Sequence, residues 1–431
     1  MKVLFLCGGN GKRMLPLTED KFLLNFVGTT LLDHQVHLAM DAGLNKFVMV
    51  CNRQSLLRVK AISENIPTAS IEIGVQEKPL GIANALESVA PLLNEELLII
   101  NPNDIFDETA YSTMLESRRR DNAISHILGY RVKNYFPGGY LVTNKEGYLT
   151  DIVEKPGAGN EPSDMVNVLV HGHSDPQELL RYIAHVKTDR DDVYERALDA
   201  MCKDGKLIKV VPYTGTWHAI KYPWNILDSV RYFLDRSERF ISPSAQISSH
   251  AVIEGKVIIG GNARVLENAV IRGPVYIGPR TVIGNSTLIR SYSHIGVDCV
   301  VGFATEIKGS YVGHGSWFHM NYIGDSVVGE HCNFGAGTIT ANLRFDEQPI
   351  SVMVNDSKLN TGMDKLGAII GDNCRTGINV SIMPGVKIGP NSIIEPSVNL
   401  TENVSSYTIK SFSGSVRPFR KSFEYGHNEE K

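Results

Sequence analysis

The chain has 431 residues, 42% hydrophobic and 21% charged, with a formal net charge of -4. That is the balance of a soluble globular protein too long for one ordinary domain, and the slight negative charge excludes a broad nucleic-acid surface. No apolar stretch approaches transmembrane length, and the start, MKVLFLC, reads as a buried first strand and not as a signal peptide. The six cysteines (7, 51, 202, 299, 332, 374) are scattered without the spacing of a zinc site or a disulfide framework, which favours a reducing compartment.

Residues 1–240 alternate strand-like and helix-like segments. Val3–Cys7 is an apolar strand, LLDHQVHLAMDAG an amphipathic helix closed by Gly43, KFVMVCN a strand, GIANALESVAPLL a helix, and LLIIN and SHILGYRV further strands. The alternation predicts an α/β layer with a mostly parallel sheet, whose ligands sit at the carboxyl ends of strands. The polar motifs fall at those ends. The first, Gly8-Gly9-Asn10-Gly11-Lys12-Arg13, opens straight from a strand. Its glycines let backbone N–H groups approach a phosphate chain and its cations supply charge, but it is neither the Walker pattern nor the dinucleotide fingerprint. WNILDSVRYFLDRSERF follows as an amphipathic helix with Ile226, Leu227, Val230, Phe233 and Leu234 on one side.

From Ile241 every sixth residue is Ile or Val, through Ile247, Ile253, Ile259, Val265, Ile271, Ile277, Ile283, Ile289, Ile295 and Val301 to Ile307. Two places before each, from Ala245 onward, stands a small or β-branched residue. Neither the helical period nor a flat strand's alternation repeats at six, and sandwich strands do not hold phase over so many periods. The pattern predicts a parallel β-helix with aliphatic side chains filling a narrow prism and Gly260, Gly278, Gly284, Gly296 and Gly302 where the backbone turns. The period slips between Gly309 and Thr361, resumes at Ile370, Thr376, Ile382, Ile388, Ile394 and Leu400, and fades beyond, leaving KSFEYGHNEEK as a polar end. The slip holds the densest polar and glycine run, HMNYIGDSVVGEHCNFGAGTITANLRFD, and a solenoid's loops are where function sits. His319 is a candidate base there.

Two resemblances give these motifs roles. Residues 8–18 resemble the signature loop of sugar-phosphate nucleotidyltransferases, and later segments follow in that family's order: Gln76 to Ala85, Asp104 in IINPNDIFD, Gly138-Gly139-Tyr140, Glu154-Lys155-Pro156, Asn167, and Trp217 to Trp224. The resemblance implies nucleotide binding by Gly8, Gly9, Gly11, Lys12, Arg13, Gln76 and Gly81. It implies catalytic roles for Arg13 and Lys21, sugar-phosphate binding by Gly139, Glu154, Lys155 and Asn167, and Mg²⁺ at Asp104. The chain departs from the family in PLTEDKFLL, which lacks the proline before the lysine, in Asn103 before Asp104, and in Ala219, where a second metal-binding Asp is common. His218, Asp191 and Asp192 are the alternatives to that carboxylate.

Residues 285–345 resemble the acetyltransferase half of the bifunctional enzymes that make UDP-N-acetylglucosamine, with the archaeal-type branch nearest in RFDEQPISVMVND. By that resemblance His319 takes a proton from the amine of an amino-sugar 1-phosphate as it attacks acetyl-CoA. Arg290, Lys308, Tyr322, Asn333 and Asn342 hold the amino-sugar phosphate, and Ala336 and Gly377 lie at acetyl-CoA. The expected fold is a Rossmann-like α/β nucleotidyltransferase domain (1–235), then a left-handed parallel β-helix of hexapeptide repeats (236–410) and a polar tail (411–431). The expected protein is a cytoplasmic homotrimer, or a dimer of trimers, binding small molecules and neither nucleic acid nor membrane. The nucleobase (uracil, thymine or guanine) and the sugar (glucosamine or galactosamine) stay open. So do a single-activity enzyme, with either half as scaffold or degenerate, and a regulatory subunit without chemistry.

Overall fold

The computed structural model describes residues 1–9, 11–190 and 192–418. Their contacts form two compact units, Met1–Asn10 with Leu31–Ala219, and Gly11–Thr30 with Ile220–Lys431. Residues 421–431, the polar end, lie outside the described residues.

The first unit is built on a nine-stranded sheet. Lys46–Cys51, Lys2–Cys7 and Leu97–Ile100 run parallel at its centre, Ser70–Val75 continues them in parallel at the edge, and Met165–His173 enters antiparallel beside Leu97–Ile100. The central strands are apolar runs buried on both faces, the signature of a parallel sheet clad by helices. The helix Leu31–Asp41 gives way to Gly43 at φ 85, a left-handed terminator that glycine adopts without a Cβ penalty. The helix Pro176–His185 begins with proline at its first position and Asp175 accepting a hydrogen bond from the Glu178 N–H, a favoured start.

In the second unit, strands of two or three residues stack into three sheets of eight, ten and eight strands, parallel except for the last strand of the ten, Val416–Pro418. Most pair with the strand eighteen residues on, as Ile259 with Ile277 and Ile277 with Ile295. Three hexads therefore make one coil, and each third aliphatic residue lies above the last. From Ile259 to Ile307 these residues are at most 1% exposed. Each contributes roughly 1.5–3 kcal/mol by burial. Ile241, Ile247 and Ile253, in the first coil, are only partly buried because no coil covers them on one side. Hydroxyls in the small-residue column are satisfied by carbonyls: Thr281 Oγ1 donates to Gly296 O at 2.7 Å, and Ser293 Oγ to Arg290 O at 2.7 Å.

Two details differ from the sequence reading. The glycines after the aliphatic residues do not take the left-handed turn conformation. Two residues further on, Asn262, Arg280, Ser286, Asp298 and Ala304 take it, at φ 52 to 59. The glycines instead sit under the next coil: a Cβ at Gly278 would lie 2.5 Å from Gly296 O, and one at Gly302 2.4 Å from His319 O. The slip is also narrower than the sequence shows. The coils shorten, His294 pairing with Tyr311 and Tyr311 with Val327, so the hexad count fails while all three sheets continue. The true excursion lies between Thr340 and Ile369, where Ser351–Val354 and Ser357–Asn360 form an antiparallel hairpin.

The helix Asn225–Arg236 belongs to this unit, with Ile226, Leu227, Val230 and Leu234 buried as its pattern requires. Phe233 stacks on Phe26 at 5.1 Å between centroids, and Tyr276, His294 and Tyr311 form a further stack at 4.6 and 5.0 Å. Val27 N–H donates to His294 Nε2, tying Gly11–Thr30 to the solenoid side.

Candidate active sites

In the first unit, Gly8, Gln76 and Gly81 come together at strand ends. A Cβ at Gly8 would meet Gln76 Oε1 at 2.1 Å, so any larger residue there would displace the Gln76 amide. Gln76 is 4% exposed, and its Nε2 donates to Gly81 O and Asn84 Oδ1, each at 3.0 Å. Gly9 has open space around it.

Asp104 starts the short strand Asp104–Phe106, paired with Trp217–Ala219. Its Oδ2 accepts from Trp217 Nε1 at 3.2 Å and its Oδ1 from Asn101 Nδ2 at 3.4 Å. The indole is held by Tyr130 and Phe136, with centroids 5.3 and 4.8 Å away. Ala219 is the residue directly opposite Asp104, so the departure seen in the sequence falls beside the candidate metal carboxylate. Asp107 cannot take over, since Thr109, Tyr213 and the Thr216 N–H occupy its oxygens. Asp192 bonds Thr188 and Arg196, and Asp191 lies outside the described residues. Among the described residues no three His, Cys, Asp or Glu side chains cluster as metal ligands.

Gly139, Glu154 and Asn167 also meet. Gly139 pairs with Glu154 across the sheet, and a Cβ on it would lie 3.1 Å from Glu154 Oε2 and 3.6 Å from Asn167 Cβ. Lys155 adopts φ 47 and pairs with Glu154 at 2.6 Å, a left-handed backbone held by its neighbours.

The second unit carries the rest of the loop. Gly11, at φ 55, opens a single 3-10 turn, Lys12–Met14, that buries Met14 and leaves Lys12 and Arg13 exposed. Thr18 N–H and Oγ1 both bond Asp372 Oδ2. Lys21 Nζ donates to Ile220 O at 3.2 Å.

The solenoid gathers the remaining candidates at one corner and the face beside it. Trp317 pairs with Asn333 and Asn333 with Arg375 on one sheet, while Lys308 pairs with Gly324, beside Tyr322, on the next. His319 lies at the corner between them. Its ring is exposed and makes no hydrogen bond among the described residues. Gly337 N–H donates to Met320 O and Asn379 N–H to Ala336 O, stacking the corners that hold His319, Ala336 and Gly377. Asn342 Nδ2 reaches Tyr322 Oη at 3.3 Å and Asp325 Oδ2 at 2.5 Å. Burial, then the Glu306 and Asp325 carboxylates, raise the Tyr322 phenol above its ordinary value, so it stays a proton donor.

Three participants escape sequence reading. Asn321, 6% exposed, accepts from the His319 N–H at 2.8 Å and donates to Gly335 O and Thr338 O at 2.8 and 3.2 Å, pinning the candidate base's backbone. Glu306 pairs with Arg290 at 2.9 Å and Asp325 with Lys308 at 2.6 Å, so both expected phosphate ligands are held by carboxylates. The coil register, which sets Glu306 beside Tyr322, was the signal that could have found one of them.

The family described as "Nucleotidyl transferase" matches residues 2–217, and "Bacterial transferase hexapeptide (six repeats)" matches 256–291 and 367–402. A protein of Methanococcus maripaludis (strain C7) named "Bifunctional protein GlmU" is 37% identical over 91% of this chain and 93% of its own length. One of Sulfurisphaera tokodaii named "Bifunctional sugar-1-phosphate nucleotidylyltransferase/acetyltransferase" is 33% identical over 94% and 98%. "Bifunctional protein GlmU" of Methanocaldococcus jannaschii is 32% identical over 95% and 97%. An α/β sheet with a glycine loop, followed by hexapeptide coils with an exposed corner histidine, therefore makes this chain a member of the bifunctional sugar-1-phosphate nucleotidyltransferase/acetyltransferase family.

Proposed function

We propose that the chain performs two successive transfers on one sugar phosphate. In the solenoid, acetyl-CoA acylates the amine of glucosamine 1-phosphate or galactosamine 1-phosphate. His319 takes the amine proton on a ring nitrogen as the thioester is attacked, and Asn321 fixes where that ring starts from. Arg290 and Lys308 exchange Glu306 and Asp325 for the phosphate. The partly exposed Arg290–Glu306 pair is worth about 1 kcal/mol or less, so a phosphate dianion competes for it. Tyr322, Asn333 and Asn342 place the sugar, and the backbone at Ala336 and Gly377 lies at the acetyl end of acetyl-CoA. The observation that carries this reading is the uncommitted imidazole of His319, on a backbone that Asn321 holds at the corner between the Asn333 and Tyr322 faces.

In the second transfer, uridylyl passes from UTP to the N-acetylhexosamine 1-phosphate, releasing pyrophosphate and giving UDP-N-acetylglucosamine or its galactose counterpart. Lys12, Arg13 and the backbone of Gly8, Gly9 and Gly11 hold the triphosphate, Gln76 and Gly81 meet the base, and Lys21 neutralises the phosphates being joined. Glu154, Lys155 and Asn167 hold the sugar phosphate against Gly139. Asp104 would hold Mg²⁺. One carboxylate suits an ion that keeps several waters and takes its other ligands from substrate phosphates, and when bound it spreads the transferring group's charge. The proposal includes a cytoplasmic homotrimer or dimer of trimers. Exposed Trp317, Ile339 and Ile378, near the His319 corner, support assembly there. No helix among the described residues is long and apolar enough to cross a membrane.

The test measures thiol release from acetyl-CoA with each amino-sugar phosphate, beside pyrophosphate release with UTP, dTTP or GTP. His319→Ala is expected to cut thiol release by about 100-fold or more and leave pyrophosphate release intact. Undiminished thiol release overturns the base, and undiminished pyrophosphate release from Asp104→Ala overturns the metal ligand.

A further inference from the structure

Behind Asn167 a line of buried polar side chains runs into the first unit. Ser125 Oγ lies 2.8 Å from His173 Nδ1, and His173 Nε2 lies 3.0 Å from the Tyr194 hydroxyl. That hydroxyl is 2.7 Å from His171 Nδ1, and His171 Nε2 is 2.6 Å from Asn167 Oδ1. Ser125, His171, His173 and Tyr194 are at most 1% exposed. Asn167 and His171 share the strand Met165–His173, whose register shifts between Val168 and His171. In a regular strand their Cα atoms would stand about 13 Å apart. The irregularity shortens that span, and the two side chains meet.

The first link fixes the direction of all the others. A neutral imidazole has one N–H and one acceptor nitrogen, and an amide oxygen only accepts. His171 therefore carries its proton on Nε2 and accepts on Nδ1 from the Tyr194 O–H. Tyr194 has then spent its proton, so His173 donates from Nε2 to the Tyr194 oxygen and accepts on Nδ1 from Ser125. Burial keeps both rings neutral: His173 is pushed down to about 3 and His171 well below its ordinary value, each with a smaller push from a neighbouring cation or imidazole.

We propose that His171 is a positioning residue for sugar-phosphate recognition: by holding the Asn167 carbonyl oxygen it turns the amide N–H₂ outward, a donor set beside the Glu154 carboxylate over Gly139. That pairing suits a sugar edge offering an acceptor oxygen next to a hydroxyl that must donate. The inference rests on the reading of Gly139, Glu154 and Asn167 as the sugar-phosphate subsite.

Two measurements test it. Proton–nitrogen correlation spectra of the histidine side chains read the tautomers without reference to activity. Both His171 and His173 are expected as Nε2–H, and an Nδ1–H form of His171 overturns the proposal. Calorimetry with N-acetylglucosamine 1-phosphate, and separately with UTP and Mg²⁺, reads its consequence. His171→Leu is expected to weaken the sugar phosphate about tenfold and UTP less than twofold. His171→Gln, whose Nε2 reaches the place of the imidazole Nε2, restores the affinity, and UTP binding, which uses Gly8, Gln76 and Gly81 of the same unit, serves as the folding control. Equal weakening by Leu and Gln, or none by Leu, overturns the role. Asn167→Ala separates the two layers. If it weakens the sugar phosphate while His171→Leu does not, only the positioning role falls. If Asn167→Ala changes nothing, or the unaltered chain binds no sugar phosphate, the subsite falls and the proposal with it.

Discussion

Asp104 and Ala219 face each other across two three-residue strands, and only one of them offers oxygen. A metal held by one protein carboxylate depends on its substrate's phosphates for the remaining charge. Ala219→Asp places a second carboxylate in register with the first. It is expected to lower the Mg²⁺ concentration for half-maximal pyrophosphate release by about tenfold, one paired charge contact at a partly solvated site. A titration of pyrophosphate release against Mg²⁺ checks it, and an unchanged midpoint would remove Asp104 from the metal site. Ala219 was legible in the sequence because the tryptophan two residues earlier fixes its place. Asn321 was not legible: its partners, Gly335 and Thr338, are brought to it by the coil, and nothing in an Asn between Met320 and Tyr322 announces that its amide is buried. The sequence likewise shows Arg290 and Lys308 as cations but hides the carboxylates that hold them, since those pairs join residues sixteen and seventeen apart.

At the scale of the element, the hexad was legible because side-chain size repeats with the coil: aliphatic residues fill most of the inward positions on the prism's flat sides. Coil length was harder to read. Coils that shorten by a residue or two keep their hydrogen bonds yet destroy the count, so the run from Gly309 onward looked interrupted while its strands continue to pair through Tyr311 and Val327. The glycines show the same gap between pattern and cause. Their place in the repeat is visible in the sequence, but the backbone crowding that demands them comes from the next coil. Gly278→Ala sets a Cβ 2.5 Å from Gly296 O, a backbone atom that cannot rotate away. It is expected to cost about 1–3 kcal/mol, seen as a lower Tm. Ala304→Gly is expected to leave Tm nearly unchanged. Ala304 sits at φ 52, and the left-handed strain relieved, about 1 kcal/mol, is offset by the extra freedom glycine brings to the unfolded chain. If the two substitutions behaved alike in thermal melts, the division between crowded and left-handed positions would be wrong.

Across the whole molecule, each unit buries imidazoles that the fold keeps neutral. His171 and His173 lie within the sheet unit, and His294 lies in the solenoid unit between Tyr276 and Tyr311, 1% exposed, accepting from Val27 N–H. Burial first, with a smaller contribution from His314, pushes His294 down to about 3. In the unfolded chain each histidine titrates near about 6.5. Between that value and the folded one the unfolded chain binds more protons, so stability is complete above about 6.5 and is lost as pH falls. At pH 5 each such ring costs roughly 2 kcal/mol of the stability present at neutral pH. Acid unfolding is therefore expected to set in above the carboxylate range. His294→Phe separates this effect from the carboxylates. It keeps an aromatic ring between the two tyrosines and removes the proton site, but it leaves the Val27 N–H without its acceptor, so the variant is expected to be less stable than the parent at pH 7 by about 1–3 kcal/mol. As pH falls to 5 the parent pays for its buried imidazole and the variant does not, so the two melting temperatures converge. Thermal melts of both proteins at pH 7, 6 and 5 decide it: a gap that stays constant would mean the ring between Tyr276 and Tyr311 gains its proton without leaving the fold.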